Sequence, residues 1–98
     1  MNMREIQKVQ QRLMKMQEEL EATQFTGTAG GGAVTISMSG KYEISAVKID
    51  PEAFSAEDIE ELEVMVKAAA KDAFDKVTEA QQKLLSGATG GMRIPGLF

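Results

Sequence analysis

Ile6, Val9, Leu13, Met16 and Leu20 follow one another at alternating steps of three and four residues. That is the a/d period of a coiled-coil seam, and it predicts a helix from Met1 to about Gln24 that needs another helix to lie against. The same segment carries a second stripe, in which Arg4, Lys8, Arg12 and Lys15 recur every three or four residues. At about 100° per residue these four fall within roughly 80° of one another, centred roughly 120° around from the seam. One helix therefore offers an apolar line to a partner and a cationic ridge to solvent, a combination that suggests a polyanion-binding dimer. Gln7 and Gln11 border the ridge.

The chain has 98 residues, which makes one small domain whose core is marginal for stability, so association of two copies is plausible on size alone. Cysteine and histidine are both absent, which removes disulfides, thiol nucleophiles, imidazole bases and the common zinc sites. No cofactor, metal or small-molecule substrate is expected. The composition fits a reducing cytoplasm, and the sequence shows neither a run of about 20 apolar residues for a membrane nor an apolar leader. Without His or Cys, catalysis would fall to carboxylates or lysines, and no pair of these marks a pocket, so the chain reads as a non-enzyme.

The net charge of −4 and pI of about 4.8 argue against nucleic acid when taken as totals. The totals hide a polarity. Residues 1–17 hold four cations and one anion, whereas residues 56–63 hold Glu57, Asp58, Glu60, Glu61 and Glu63. Charges more than about 8–10 Å apart are screened at physiological salt, so the local field at the ridge decides what it attracts. Glu18, Glu19 and Glu21 at the end of the first helix read as a solvated face.

Phe25–Ala29, a Gly30-Gly31-Gly32 turn and Ala33–Met38 read as a hairpin, with Val34, Ile36 and Met38 alternating against Thr35, Ser37 and Ser39. A third strand over Ile44–Ile49, with Val47 and Ile49 inward, completes an antiparallel meander. The glycine run leads into a strand instead of a helix, so it is not a phosphate loop. Asp50-Pro51 ends the strand, and Ser55 with Asp58 opens a second helix as a capping box, with Phe54 and Ile59 as its hydrophobic staple. The acidic residues that follow sit over the positive end of the helix dipole, which accounts for them without a metal.

This second helix is predicted over Ala56 to about Ser86, with Ile59, Leu62, Val66, Ala69, Ala73, Val77, Ala80 and Leu84 on one stripe. At about 45 Å it outreaches a six-residue strand more than twofold, so half of it must project, and the first helix is the candidate to cover it. Val66, Ala69, Ala73 and Val77 are accordingly expected in the dimer contact together with Ile6, Val9, Leu13, Met16 and Leu20. Lys67, Lys71, Lys76 and Lys83 add cations, nearly cancelled by Asp72, Asp75 and Glu79. Gly87 is expected to end the helix, leaving a mobile tail over 87–98 in which Arg93 can touch phosphate and Leu97-Phe98 can dock on a neighbour.

The expected class is thus α+β, one α-β-β-β-α domain over residues 1–98. The opening Gln7–Leu20, the Gly27-Thr28-Ala29-Gly30-Gly31-Gly32 turn, Val47-Lys48-Ile49-Asp50-Pro51, the Ala68–Phe74 segment and the ending Ile94-Pro95-Gly96-Leu97-Phe98 together resemble the bacterial YbaB/EbfC family of nucleoid-associated proteins. The resemblance implies a tweezer-like homodimer with projecting helical arms that binds double-stranded DNA in the nucleoid and contributes to its organisation and to gene regulation. Under it, Arg4, Lys8, Arg12 and Lys15 contact phosphates, Lys67, Lys71, Lys76 and Arg93 add secondary contacts, and Gln7 and Gln11 reach base edges. The competing reading from the residues alone is a protein-interaction scaffold built on coiled-coil-like helices.

Overall fold

A computed structural model of the chain describes residues 2–88, in the order α1 (Met3–Ala22), β1 (Gln24–Ala29), β2 (Val34–Ser39), β3 (Ile44–Ile49) and α2 (Ile59–Ala88). The strands form one antiparallel sheet in the order β1-β2-β3. The α+β meander flanked by two long helices is as the periodicities predict. α1 stops two residues short of Gln24, and β1 takes over at that residue. At its other end Asn2 caps the helix, its Oδ1 accepting from the Glu5 N–H at 2.9 Å.

Three glycines at φ 65°, 69° and 96° make the β1–β2 connection, a left-handed run that side-chain-bearing residues avoid. Ser55 opens α2 through a single turn of 3-10 helix. The Ser55 N–H donates to the Asp58 carboxylate at 2.8 Å, and the Glu57 N–H donates to the Ser55 hydroxyl at 3.4 Å. The staple forms differently from expectation. Phe54 packs with Leu62 against Val34 and Ile36, while Ile59 stays 52% exposed. α2 also runs through Gly87 to Ala88 instead of ending at the glycine.

The core lies between α2 and the first two strands. Val34, Ile36 and Ala69 form one buried cluster; Met38, Ala73 and Val77 form another, with Phe25 and Tyr42 against it. Ala69, Ala73 and Val77 have no exposed surface in a single chain, so their expected place in a dimer contact is corrected. Periodicity shows that a stripe is buried, not what buries it; here the sheet of the same chain does. Val66 is half-buried against the same cluster. The alanines allow close approach as expected, but to β1: a Cβ on Gly27 would lie 2.9 Å from the Ala73 Cα and collide with the Ala69 carbonyl.

The third strand departs most from expectation. Val47 pairs with Ile36 and Ile49 with Val34, so both face the core side of the sheet. Nevertheless Ile44, Val47 and Ile49 are 54%, 48% and 43% exposed. A helix about 10 Å across covers about two strands spaced 4.8 Å apart, and α2 lies over β1 and β2.

Candidate nucleic-acid interface

The last turn of α1 is pinned to the sheet. Gly40 lies so close beneath Leu20 and Glu21 that a Cβ there would sit 3.0 Å from the Glu21 Cα, and its N–H donates to the Thr23 carbonyl at 3.2 Å. Everything in α1 before that turn projects from the sheet, alongside the outer half of α2, and the molecule extends 65 × 26 × 15 Å. Arg4, Lys8, Arg12 and Lys15 lie on this projecting part and are all exposed. From Arg4 to Lys15 the ridge is about 17 Å long at 1.5 Å per residue.

The direction of the ridge follows from what α1 faces. Leu13, Met14 and Gln17 of α1 line a groove against Thr78, Gln81 and Leu85 of α2. On the helical wheel that groove face lies nearly opposite the four cations, so the ridge points away from α2 of its own chain. Gln7 and Gln11 are exposed beside it. No residue of α1 is buried: Leu13, Met16 and Leu20 are half-covered, while Ile6 and Val9 are 38% and 40% exposed. The seam is thus only partly covered within one chain.

The cations of α1 and α2 differ in company. Among the described residues, Arg4, Lys8, Arg12 and Lys15 make no ion pair, and neither does Lys67. Lys71 pairs with Asp75 at 2.8 Å, Lys76 with Asp72 at 3.4 Å and Lys83 with Glu79 at 3.3 Å, each one helical turn apart. The Asp75 carboxylate, first by hydrogen bond and then by charge, raises the Lys71 pKa. Lys76 also donates to the Thr26 carbonyl at 2.6 Å, and Asp72 accepts from the Thr28 N–H at 3.0 Å. That backbone bond is the main reason the Asp72 carboxyl is held below its ordinary range, with Lys76 contributing less. Lys71 and Lys76 thus have local counter-charges, and Lys76 braces the edge of β1. Arg93 lies outside the described residues.

The YbaB/EbfC DNA-binding family model matches residues 1–92. The chain belongs to that family. Its relatives include a nucleoid-associated protein of Clostridium perfringens, 44% identical over 96 residues that cover 98% of this chain and 86% of the relative. A nucleoid-associated protein of Dictyoglomus turgidum is 41% identical over 97 residues, covering 98% and 93% respectively. The fold is shared with the crystal structure of an uncharacterized protein from Helicobacter pylori, at a TM-score of 0.75 and 23% identity over 92% of this chain and 99% of that one. The YbaB/EbfC description is of DNA binding, not of catalysis. Among the described residues, no helix is long and apolar enough to cross a membrane.

The sequence did not reveal the bare face of β3 or the groove between the helices. A width argument was the available signal for the first: three strands have inward apolar residues, and only one helix is positioned to cover them. Lys48, exposed on β3, and Lys41, exposed in the β2–β3 turn, are further cations that the helical periodicities did not address.

Proposed function

We propose that the protein binds double-stranded DNA as a homodimer at the nucleoid, with Arg4, Lys8, Arg12 and Lys15 of each subunit on the phosphates. The observation that carries this is the contrast in charge pairing: the α1 ridge is exposed and, among the described residues, has no carboxylate partner, while Lys71, Lys76 and Lys83 each pair with a carboxylate one helical turn away. Membership of a DNA-binding family gives the polyanion its identity. Lys67, also without a counter-ion among the described residues, is a secondary contact, as is Arg93. Gln7 and Gln11 border the ridge where amide groups can reach base edges. In an acidic protein the contact is local and therefore sensitive to salt.

Two apolar surfaces support the dimer. One is the α1 seam, with Ile6 and Val9 exposed and Leu13, Met16 and Leu20 half-covered. The other is the β3 strip of Ile44, Val47 and Ile49, which continues the core face of the sheet past the edge of α2. A second copy that covers both brings two ridges to one duplex.

Binding to a short duplex across a salt series tests the reading. Eight phosphate contacts per dimer give a slope of log affinity against log salt of up to about −7. Arg12→Glu combined with Lys15→Glu abolishes binding while the dimer persists in light scattering. A salt slope near zero, or full retention by that variant, refutes the ridge.

A further inference from the structure

Tyr42, in the β2–β3 turn, is the only described residue other than glycine at positive φ, 65°. A bulky side chain is rarely found there, and such a conformation persists only where the surroundings hold it. What holds it is α2. The Tyr42 ring lies 4.7 Å from that of Phe74, centroid to centroid, and its hydroxyl shares a hydrogen bond of 2.8 Å with the hydroxyl of Thr78. About one turn further along the same face of α2, the Gln81 side-chain amide donates to the Gly40 carbonyl at 3.0 Å. Glycine would adopt this backbone at no steric cost, so the contacts of the side chain, not the path of the chain, account for a tyrosine here.

The same turn grips the other helix. Gly40 donates its N–H to the Thr23 carbonyl at 3.2 Å and lies directly under the backbone of Leu20 and Glu21. Residues 40–42 thus join the base of α1 to α2. Outward of that base the two helices face each other across an open groove of about 680 Å³, and no residue of α1 is buried. Within one chain the direction of α1 is therefore set at the turn. From Leu20 to Arg4 the helix is a lever of about 24 Å. A tilt of roughly 10° at its base moves Arg4 by about 4 Å, more than the spacing of about 3.4 Å between phosphates of one strand along the duplex axis. We propose that Tyr42 is a positioning residue for the α1 ridge: by locking the β2–β3 turn onto Phe74 and Thr78 it fixes the angle of α1 to α2, and so where Arg4, Lys8, Arg12 and Lys15 meet a duplex. The last step rests on the ridge as the DNA contact; the angle itself does not.

A chain without cysteine can carry two spin labels at chosen positions. Glu5→Cys on α1 and Lys83→Cys on α2, both at exposed positions, report one distance within a subunit when the labelled chain is diluted into excess unlabelled chain. Pulsed electron resonance should give a narrow distribution for the parent. Tyr42→Gly, which suits the backbone of the same turn, should widen it by several ångströms with helix content unchanged in circular dichroism. Tyr42→Phe, which keeps the ring on Phe74, should restore the parent width. Gln81→Ala cuts the second tie between the turn and α2 and should widen the distribution too, which keeps the test decisive if Tyr42→Gly fails to fold. In unlabelled protein, Tyr42→Gly should weaken duplex binding at least about tenfold. The salt slope should stay near that of the parent, because the four cations remain and a loose arm is ordered on binding. An unchanged distribution in both Tyr42→Gly and Gln81→Ala would overturn the proposal, as would a widened one with unaltered affinity. A parent salt slope near zero would instead refute the ridge as the DNA contact, with the distance distributions still deciding whether Tyr42 sets the angle.

Discussion

Ile36 and Val47 lie opposite each other on neighbouring strands and face the same side of the sheet, yet Ile36 is 1% exposed and Val47 48%. The difference is the edge of α2, which ends the cover of one chain between β2 and β3. Apolar surface left in water at that boundary favours association by roughly 25 cal/mol per Å².

The pair gives opposite expectations for mutation. Ile36→Ala opens a cavity in a sealed core and should cost about 2–5 kcal/mol of stability, read as a lower urea midpoint. Val47→Glu should leave the circular dichroism of the subunit unchanged but place an unpaired carboxylate in the proposed subunit contact. Its dimer dissociation constant, from sedimentation across a dilution series, should rise at least about tenfold, or about 1.4 kcal/mol. An unaltered mass at high dilution would remove the β3 strip from the interface.

Gly27 provides the second test, of why α2 sits where it does. The backbone of Ala69 and Ala73 occupies the space a side chain on residue 27 would need. Gly27→Ala must push the helix off β1, and overpacking of this kind costs about 1–3 kcal/mol. Chemical denaturation should show the loss. A midpoint at or above that of the parent would mean that the helix and strand are not held this closely.

Much of this architecture was legible because its periods are unmixed. Val34, Ile36 and Met38 alternate strictly, Ser55 and Asp58 mark a helix start, and three glycines in a row mark a left-handed turn that favours glycine. What periodicity could not supply was the identity of the covering surface. The Ala69–Ala73–Val77 stripe is equally regular against a helix or against a sheet, and it meets the sheet. Val47 was correctly placed on the core side of its strand but left uncovered, because cover depends on the width of α2, a tertiary quantity. The charge pairs of α2 were visible as i,i+4 spacings, but the backbone bonds from Lys76 to Thr26 and to Asp72 from Thr28 join residues more than forty positions apart.

Two carboxylates should shape the acid limb of the stability curve. Asp72 is held below its ordinary pKa chiefly by the Thr28 N–H, and Asp58 chiefly by the Ser55 N–H. A carboxyl whose pKa is lower when folded than when unfolded stabilises the fold above the unfolded value of about 3.9, and the contribution disappears as pH falls through the folded value. Thermal midpoints should therefore hold steady down to about pH 5 and decline below about pH 4. Asp58→Asn with Asp72→Asn should flatten that decline while lowering the midpoint at neutral pH. An equally steep acid limb in the double variant would place the sensitivity elsewhere.

The contrast between Lys8 and Lys76 separates the cations proposed to meet DNA from those that hold the fold. Both are exposed lysines, and a count of positive charge treats them alike. Lys8 has no counter-ion among the described residues and stands in the middle of the ridge, whereas Lys76 pairs with Asp72 at 3.4 Å and donates to the Thr26 carbonyl at 2.6 Å. Lys8→Ala should reduce the magnitude of the salt slope by about 2, one released counterion for each subunit of a dimer, with the urea midpoint unchanged. Lys76→Ala should do the reverse, lowering the midpoint because the β1 edge loses its brace, while the slope stays near that of the parent. If the slope fell equally in both, the ion pair with Asp72 would not be shielding Lys76 from the duplex, and the binding surface would have to extend from α1 across the outer face of α2.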